Sequence, residues 1–444
     1  MATRNEIAWE KIFEVLNVVN RVAEFGYCDI STDQIKEISA REPRLIAKHD
    51  HKQNLPKVFS ENNFSLLTTS NSSYRVGAFD IFLPIEEIDS EMDQVSEISW
   101  HGQLQTLDVA KITGEPAALH AALASGIMKD FVGEEVVQTI SGRMRTSDFK
   151  FTVKTYDGTS SEIFVKGAQI EIDAGYEGNS GVYLVEAKNH GATNFNLRQI
   201  YYPFRFWSER VSKPISTIFM TYSNDIFDLS EYLFDKLDVM DSARLVNRKR
   251  YMLKHAKFDW GGLLNFVELA ERNGLRPLNP FGAPIPQSND FRRVVDLVSL
   301  LLDSPMSKND LLDNYTLQNS FDPRQVDYYV NAGRYLGLVI ELDSNIRDED
   351  GHRLLGPTDL AEEIFKLPIN EKYFEIAKLV LQSPSIRKYI LYFNEHHKWP
   401  QSSDMLKIAE SAGDLENHIN TETFRRRAQS LLAWAKWVQG LQGL

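Results

Sequence analysis

The chain has a single cysteine, Cys28, in 444 residues. An intramolecular disulfide is therefore excluded, and a reducing compartment is the expectation. Long hydrophobic runs are missing too. The most apolar stretch, Val294 to Leu302, is broken by Asp296 and Ser299 and falls far short of the roughly 20 residues that span a bilayer. The opening MATRNEIAWEKIFEV lacks the cationic-then-apolar order of a signal peptide and reads as an amphipathic helix. No membrane partner and a cytoplasmic location are expected. Positive charge is in short supply: 49 Lys and Arg stand against 62 Asp and Glu, for a formal net charge of −13. That argues against a basic nucleic-acid coat protein and leaves room for an enzyme whose positive surface is local. The histidines, among them His49, His51, His190, His396 and His397, have no companion Cys pair and no His-Glu-x-x-His spacing, so a zinc site is not expected. A P-loop, a Rossmann glycine pattern and a Gly-x-Ser-x-Gly elbow are all missing, which sets aside NTP hydrolysis, nicotinamide chemistry and serine-hydrolase chemistry.

What is present is an ordinary globular composition, long enough for about two to four domains. Residues 1–95 read as a small N-terminal module. Trp9, Ile12, Phe13, Leu16, Val19 and Val22 recur at helical spacing, a second helix (DQIKEIS) follows an N-cap, and two alternating runs flank the turn Asn71-Ser-Ser. A winged-helix-like module and a plain packing domain fit equally well. Residues 96–273 form the central block, 274–289 (rich in Pro and Gly) a linker, 290–366 a helix–turn–helix with a following strand and loop, and 367–444 a last helical region. The resulting fold class is α/β (α+β), a central mixed sheet flanked by helical and winged helix-turn-helix domains.

The central block carries the chemistry. In QIEIDAGYEGNSGVYLVEAK, Gln169, Glu171 and Asp173 alternate with Ala168, Ile170 and Ile172, so one strand face bears three polar groups. Tyr176 to Ser180 supply turn residues, and a second apolar strand ends in Glu186-Ala187-Lys188. Paired as a hairpin, the two strands bring Asp173 near Glu186 and Lys188. A core strand has no use for such charges, because unpaired buried charges cost several kcal/mol. Asp173 and Glu186 are the type of ligand that binds Mg²⁺, with Glu171 a further metal ligand or base. Lys188, on the same strand face as Glu186, could orient a water or stabilise charge developing on a phosphate. A helix over 194–211 follows, with Pro203 predicting a kink or break, and then the strand KPISTIFMTY. A lone Glu-x-Lys is common by chance; the acid on the preceding strand is what strengthens it.

Local basic groups that could meet a phosphate backbone are Arg143 and Arg145, read as a loop ahead of a sheet, the run Arg244 to Arg250, and Arg425 to Arg427. The plain alternative for each is a solvated charged face. In the helix opened by Pro323, Val326, Val330 and Leu336 point to a core, and Arg324, Gln325, Tyr328, Asn331 and Arg334 are left for DNA. A protein-interaction winged helix is the alternative there.

The segment IEIDAGYE…VEAKN…NFNLRQIYYPFRFW resembles the PD-(D/E)XK nucleases, and more narrowly their type II restriction endonucleases, over roughly residues 138–255. The likeness implies a sheet with an acid on one strand and the (D/E)XK on the next, and a Mg²⁺-dependent, sequence-specific endonuclease acting on double-stranded DNA, with Mn²⁺ as a substitute metal. By position Asp173, Glu186 and Lys188 would be catalytic, Gln199 a supporting polar residue, and Asp173, Glu186 and Glu171 the metal set. Arg143, Arg145, Arg324, Gln325, Tyr328, Asn331, Arg425 and Arg426 would contact DNA. Ile172 stands before the acid where the pattern has proline, and the first-strand ligand stays open between Asp173 and Glu171. The resemblance further implies a bacterial or archaeal cytoplasm, a homodimer matched to symmetric sites, and a separate cognate DNA methyltransferase. A non-catalytic DNA-binding regulator on a nuclease-like scaffold, and a DNA repair nuclease, are the alternatives.

Overall fold

The computed structural model describes residues 4–85, 95–100, 104, 106–107, 112, 114–189, 192–254, 258–312, 323–343, 347–348, 351–415 and 420–443. It is a mixed α/β protein in two compact units, the first mainly Met1–Gly102 with Glu115–Leu253, the second mainly Lys254–Tyr315 with Phe321–Leu444. Among the described residues no helix is long and apolar enough to cross a membrane.

The first unit opens with helices Arg4–Val15 and Val18–Phe25, strand β1 (Tyr27–Ser31) and helix Thr32–Ser39. Strand β1 thus stands between the first two helices and the capped helix DQIKEIS. Ser31 ends that strand and starts the next helix through a capping box: its hydroxyl accepts from the Gln34 amide, and the Gln34 side chain accepts from the Ser31 amide. Strands β2 (Ser65–Ser70) and β3 (Ser73–Gly77) form the expected hairpin, and β3 lies between β1 and β2 in an antiparallel sheet. Trp9, Phe13 and Phe59 meet edge to face beneath it, with Trp9 and Phe59 ring centres 4.9 Å apart.

After the short strand β4 (Phe82–Pro84) come β5 (Val95–Ser99), helices Glu115–Ala124 and Ile127–Val132, and β6 (Val137–Arg145). A hairpin of β7 (Phe149–Lys154) and β8 (Ser160–Val165) precedes β9 (Gln169–Glu177) and β10 (Val182–Lys188). Then follow β11 (Asn194–Asn196), helix Arg198–Ser208, β12 (Ile215–Ser223), β13 (Ile226–Phe234) and β14 (Ala243–Lys254). Seven of these make one mixed sheet in the order β5-β14-β13-β12-β10-β9-β6. β9 and β10 are antiparallel, as a short turn allows, whereas β10 and β12 are parallel and need the intervening helix as a crossover. That helix buries Ile200, Tyr201 and Tyr202 against the β7–β8 hairpin, whose Phe151 ring lies 5.1 Å from Tyr201 and whose Phe149 ring lies 5.4 Å from Tyr202.

Several expectations are corrected here. Arg143 and Arg145 are on the edge strand β6, not on a loop. The glycine beside them, Gly142, has φ of 92° next to a register shift, a conformation that a β-bulge demands and glycine tolerates. Residues 226–234 and 243–254 are two long strands, β13 and β14. The helix after β10 begins at Arg198, because 194–196 instead pair with β4 as β11. It also runs through Pro203 without a break, the lost donor being a single bond in a helix pinned by its aromatic face.

In the second unit helices Trp260–Arg272 and Arg292–Asp303 are followed by β15 (Met306–Ser307), a helix described over 308–312, helix Pro323–Tyr335, β16 (Val339–Glu341) and β17 (Leu354–Pro357). Ser307 caps the 308 helix, exchanging hydrogen bonds with Asp310. The three strands form a sheet in the order β15-β17-β16. Helices Asp359–Phe365, Ile369–Val380, Pro384–His396, Ser402–Ala412 and Thr421–Gly440 complete it. A single core joins them all, from Leu263 and Val298 through Val326 and Val330 to Trp434. The expected division at residue 366 is therefore not a break in packing. Nor is 274–289 a linker between units: Ala283 and Ile285 are buried in this core, Ser288 O accepts from the Trp434 indole at 2.8 Å, and Arg387 donates to Leu275 O. Its prolines and glycines shape a packed connection.

Phe195, fully buried on β11, stacks on Phe219 of β12 with ring centres 4.2 Å apart. Phe195→Ala is expected to cost about 3–5 kcal/mol, read as a lowered denaturant midpoint with an unchanged slope.

Candidate active site

The β9–β10 hairpin brings the predicted acids together. The last paired residues are Ala174 and Val185, and one step further stand Asp173 and Glu186. Asp173 Oδ2 accepts from the Ala187 amide at 2.8 Å, so the acid is tied to the neighbouring strand inside the Glu-x-Lys itself. Lys188 is 6% exposed and its Nζ donates to Glu186 Oε1 at 2.6 Å and to Ala187 O at 3.0 Å. Gln199, one position into the crossover helix, donates to the same Glu186 oxygen at 2.6 Å. Asp173, Glu186, Lys188 and Gln199 thus form one constellation.

Glu171 does not join it. Two residues earlier on β9, it is exposed and accepts from Arg143 Nε at 3.3 Å across the β6–β9 pairing. Between the two candidate first-strand acids, geometry favours Asp173. Arg145 is likewise engaged, donating to Gly167 O at 3.1 Å. His190 lies outside the described residues.

Two carboxylates that sequence reasoning missed complete the surroundings. Glu115, in the first turn of helix Glu115–Ala124, stands 3.9 Å from Lys188 Nζ. Asp50, buried between His49 and His51, acts electrostatically on Lys188, Glu186 and Glu115. The His49–His51 segment is held against β11: His49 O accepts from the Asn196 side chain, Asp50 O from the Asn196 amide, and the Lys52 amide donates to Asn194 Oδ1. Each lies more than 50 residues from β10 in the chain, so no local periodicity could have revealed them. The nearest signal was Asp50 between two histidines, which metal-spacing rules pass over.

Burial opposes the charge on Lys188, yet Glu186, Glu115, Asp50 and Asp173 together outweigh it and hold the ammonium above its usual range. Glu186 moves the other way: burial, with Asp173 and Asp50 as like charges, outweighs Lys188 and pushes its carboxyl up to about 8. Glu115 is raised by burial, and His49 is pushed down to about 4, also by burial. For Asp50, burial is outweighed by Lys188, Lys48, Arg198 and His51, and the carboxyl is held below its usual range.

Among the described residues no three His, Cys, Asp or Glu side chains are gathered closely enough to enclose a metal ion. Mg²⁺ does not ask for such a cage, being held by one or two carboxylates and its own waters. The donors fit that pattern. Glu186 uses only Oε1 and Asp173 only Oδ2 in hydrogen bonds among the described residues, and Gln199 Oε1 is buried with no partner. A buried carboxyl raised as far as Glu186 is a place where a divalent cation would restore the charged form.

In the second unit Val326, Val330 and Leu336 are buried as anticipated. Gln325, Tyr328 and Arg426 line one cavity. Asn331 lies on the same helix as Gln325, outside that lining, and the side chain of Arg324 is outside the described residues. Arg425 and Arg426 both lean on Glu422, at 3.5 and 3.1 Å. The run from Arg244 sits on β14, where Arg244 pairs with Asp235, Arg248 with Asp228 and Lys249 with Asp130.

Because Glu186 binds its proton more tightly folded than unfolded, its stabilising share is full below about 4.5 and is lost as pH rises through about 8. Glu186→Gln removes this loss. The melting temperature of the variant minus that of the native protein is expected to climb across that window, and a difference independent of pH would refute the assignment.

Three family models match the chain, each over less than half of it: a domain of unknown function (DUF6996) over residues 6–76, another (DUF6997) over 77–252, and a third (DUF7226) over 293–443. The middle match holds Glu115, Asp173, Glu186, Lys188 and Gln199, and Asp50 falls in the first. No curated protein and no solved structure matches.

Proposed function

We propose that the first unit is a Mg²⁺-dependent endonuclease for double-stranded DNA, of restriction type and PD-(D/E)XK kind. The observation that carries this reading is the meeting of Asp173 with Glu186 and Lys188 across β9 and β10, at the end of the apolar strand β10. The crossover helix and the parallel strand β12 that follow give further support, as does Gln199 at the supporting polar position.

Asp173 and Glu186 would hold the metal, which when bound polarises the scissile phosphate and lowers the pKa of a water. The carboxylates around Lys188 favour its charged form, which suits a hydrogen-bond donor to charge developing on phosphate. Gln199 fixes the Glu186 carboxylate by its hydrogen bond. Glu115 and Asp50 are positioning residues: they hold the Lys188 charge in place without competing for Glu186.

The order helix, strand, helix, helix, strand, strand over residues 292–357 supports a winged helix-turn-helix in the second unit. Its helix Pro323–Tyr335 would turn Arg324, Gln325, Tyr328 and Asn331 to DNA, with Arg425 and Arg426 nearby in the reading and Arg143 and Arg145 as backbone contacts of the first unit. A homodimer acting on symmetric sites and a separate methyltransferase that protects host DNA complete it.

Incubation of phage and plasmid DNA with Mg²⁺ or Mn²⁺ tests the proposal. Discrete fragments are expected from the native protein and none from Glu186→Ala or Lys188→Ala, while Gln199→Ala should slow cleavage by about 10–100-fold. DNA bound equally by all with no cutting under any divalent metal would replace the nuclease by a DNA-binding regulator. Random or branch-directed nicking would point to a repair enzyme.

A further inference from the structure

A cavity of about 540 Å³ opens on the second unit, within the roughly 300–1,000 Å³ of small-ligand pockets. Three stretches distant in sequence wall it: residues 287–293 leading into helix Arg292–Asp303, the first turns of helix Pro323–Tyr335, and the early turns of helix Thr421–Gly440. Its lining contains two arginines, two tyrosines, four side-chain amides and the carboxylate of Asp290.

Most of those amides are uncommitted. Gln287, Gln325, Gln429 and the Tyr328 hydroxyl make no hydrogen bond to the chain among the described residues. Asn289 accepts from Ser430 Oγ at 2.7 Å through its oxygen, which leaves its amide nitrogen to donate. The cations have a different disposition. Arg293 Nε is 3.1 Å from Asp290, and Arg426 meets Glu422 through Nε at 3.1 Å.

Each part of this lining selects against simpler ligands. An apolar molecule would strand the amides, and a bare anion would use the arginines but neither the amides nor the rings. A nucleotide uses all three. Side-chain amides pair with adjacent donor and acceptor groups on a base edge, a tyrosine ring offers a face for stacking, and arginine engages phosphate. We propose that this pocket binds a nucleoside monophosphate unit, either as a free nucleotide or as one nucleotide of a DNA strand turned out of its stack. The pocket shares Gln325, Tyr328 and Arg426 with the DNA-contacting face proposed above, so its extruded-nucleotide form rests on that reading, whereas binding of a free nucleotide does not.

The test is titration calorimetry on the full chain with each of the four deoxynucleoside monophosphates, with inorganic phosphate, and with a short DNA strand alone and in duplex. Gln325→Ala, Tyr328→Ala and Arg426→Ala are compared with the native protein, with circular dichroism as a check on folding. Saturable binding of a free mononucleotide that each substitution weakens about tenfold assigns the pocket to free nucleotides. Binding confined to DNA, tighter for the single strand and weakened to the same extent, assigns it to an extruded nucleotide. Binding of phosphate alone with equal affinity, or affinities that none of the three substitutions alters, overturns the proposal. Glu186→Ala, in the other unit, should lose cleavage and still bind a free mononucleotide in metal-free buffer as the native protein does, so loss of cleavage and loss of nucleotide binding are separable.

Discussion

A protonated lysine almost sealed from solvent is the constraint around which the first unit is arranged. An ammonium taken out of water without partners is among the costliest things a fold can contain. Lys188 is tolerated because Glu186 touches it, Glu115 stands near, and Asp50 and Asp173 add their fields. These four carboxylates come from the N-terminal module, the helix before β6, β9 and β10. One charge thereby draws on three separate parts of the sequence, around residues 50, 115 and 173–188. The same crowding leaves Glu186 reluctant to ionise, so the site combines a fixed cation with a carboxyl poised to change state.

The arrangement of β10 makes the lysine possible. Its neighbours are β9, antiparallel through a short turn, and β12, parallel through a helix. That helix must start close to the end of β10, and so Gln199 arrives at the Glu186 carboxylate without any further design. The aromatic layer of Phe149, Phe151, Tyr201 and Tyr202 presses the helix down and keeps the amide in range.

The hairpin and its acids were legible in the sequence because strand alternation, a turn and a charged end are local signals. Asp173, Glu186, Lys188 and Gln199 all lie within 27 residues of each other, and the structure unites them. Arg143 and Arg145 were misread as a loop because Gly142 looks like a turn residue, whereas here it relieves a bulge within β6. Residues 274–289 have the composition of a linker, but composition reports backbone shape rather than what the shape packs on, and Ile285 and Ala283 are in the core. Asp50 and Glu115 were invisible for a different reason. Their relation to Lys188 exists only through long-range pairing, which a single sequence does not encode in any short spacing.

The ion pairs along β14 carry an implication for salt. A basic strand normally keeps mobile anions near it, and binding a polyanion sets free the cations condensed on that partner, which is why affinity falls steeply as salt is added. On β14 Arg244, Arg248 and Lys249 already face carboxylates of their own chain. Any polyanion drawn to this strand would have to displace internal partners, gaining little from ion release and meeting repulsion from Asp228, Asp235 and Asp130. Part of the charge on the strand with the richest run of cations in the first unit is already spent within its own chain.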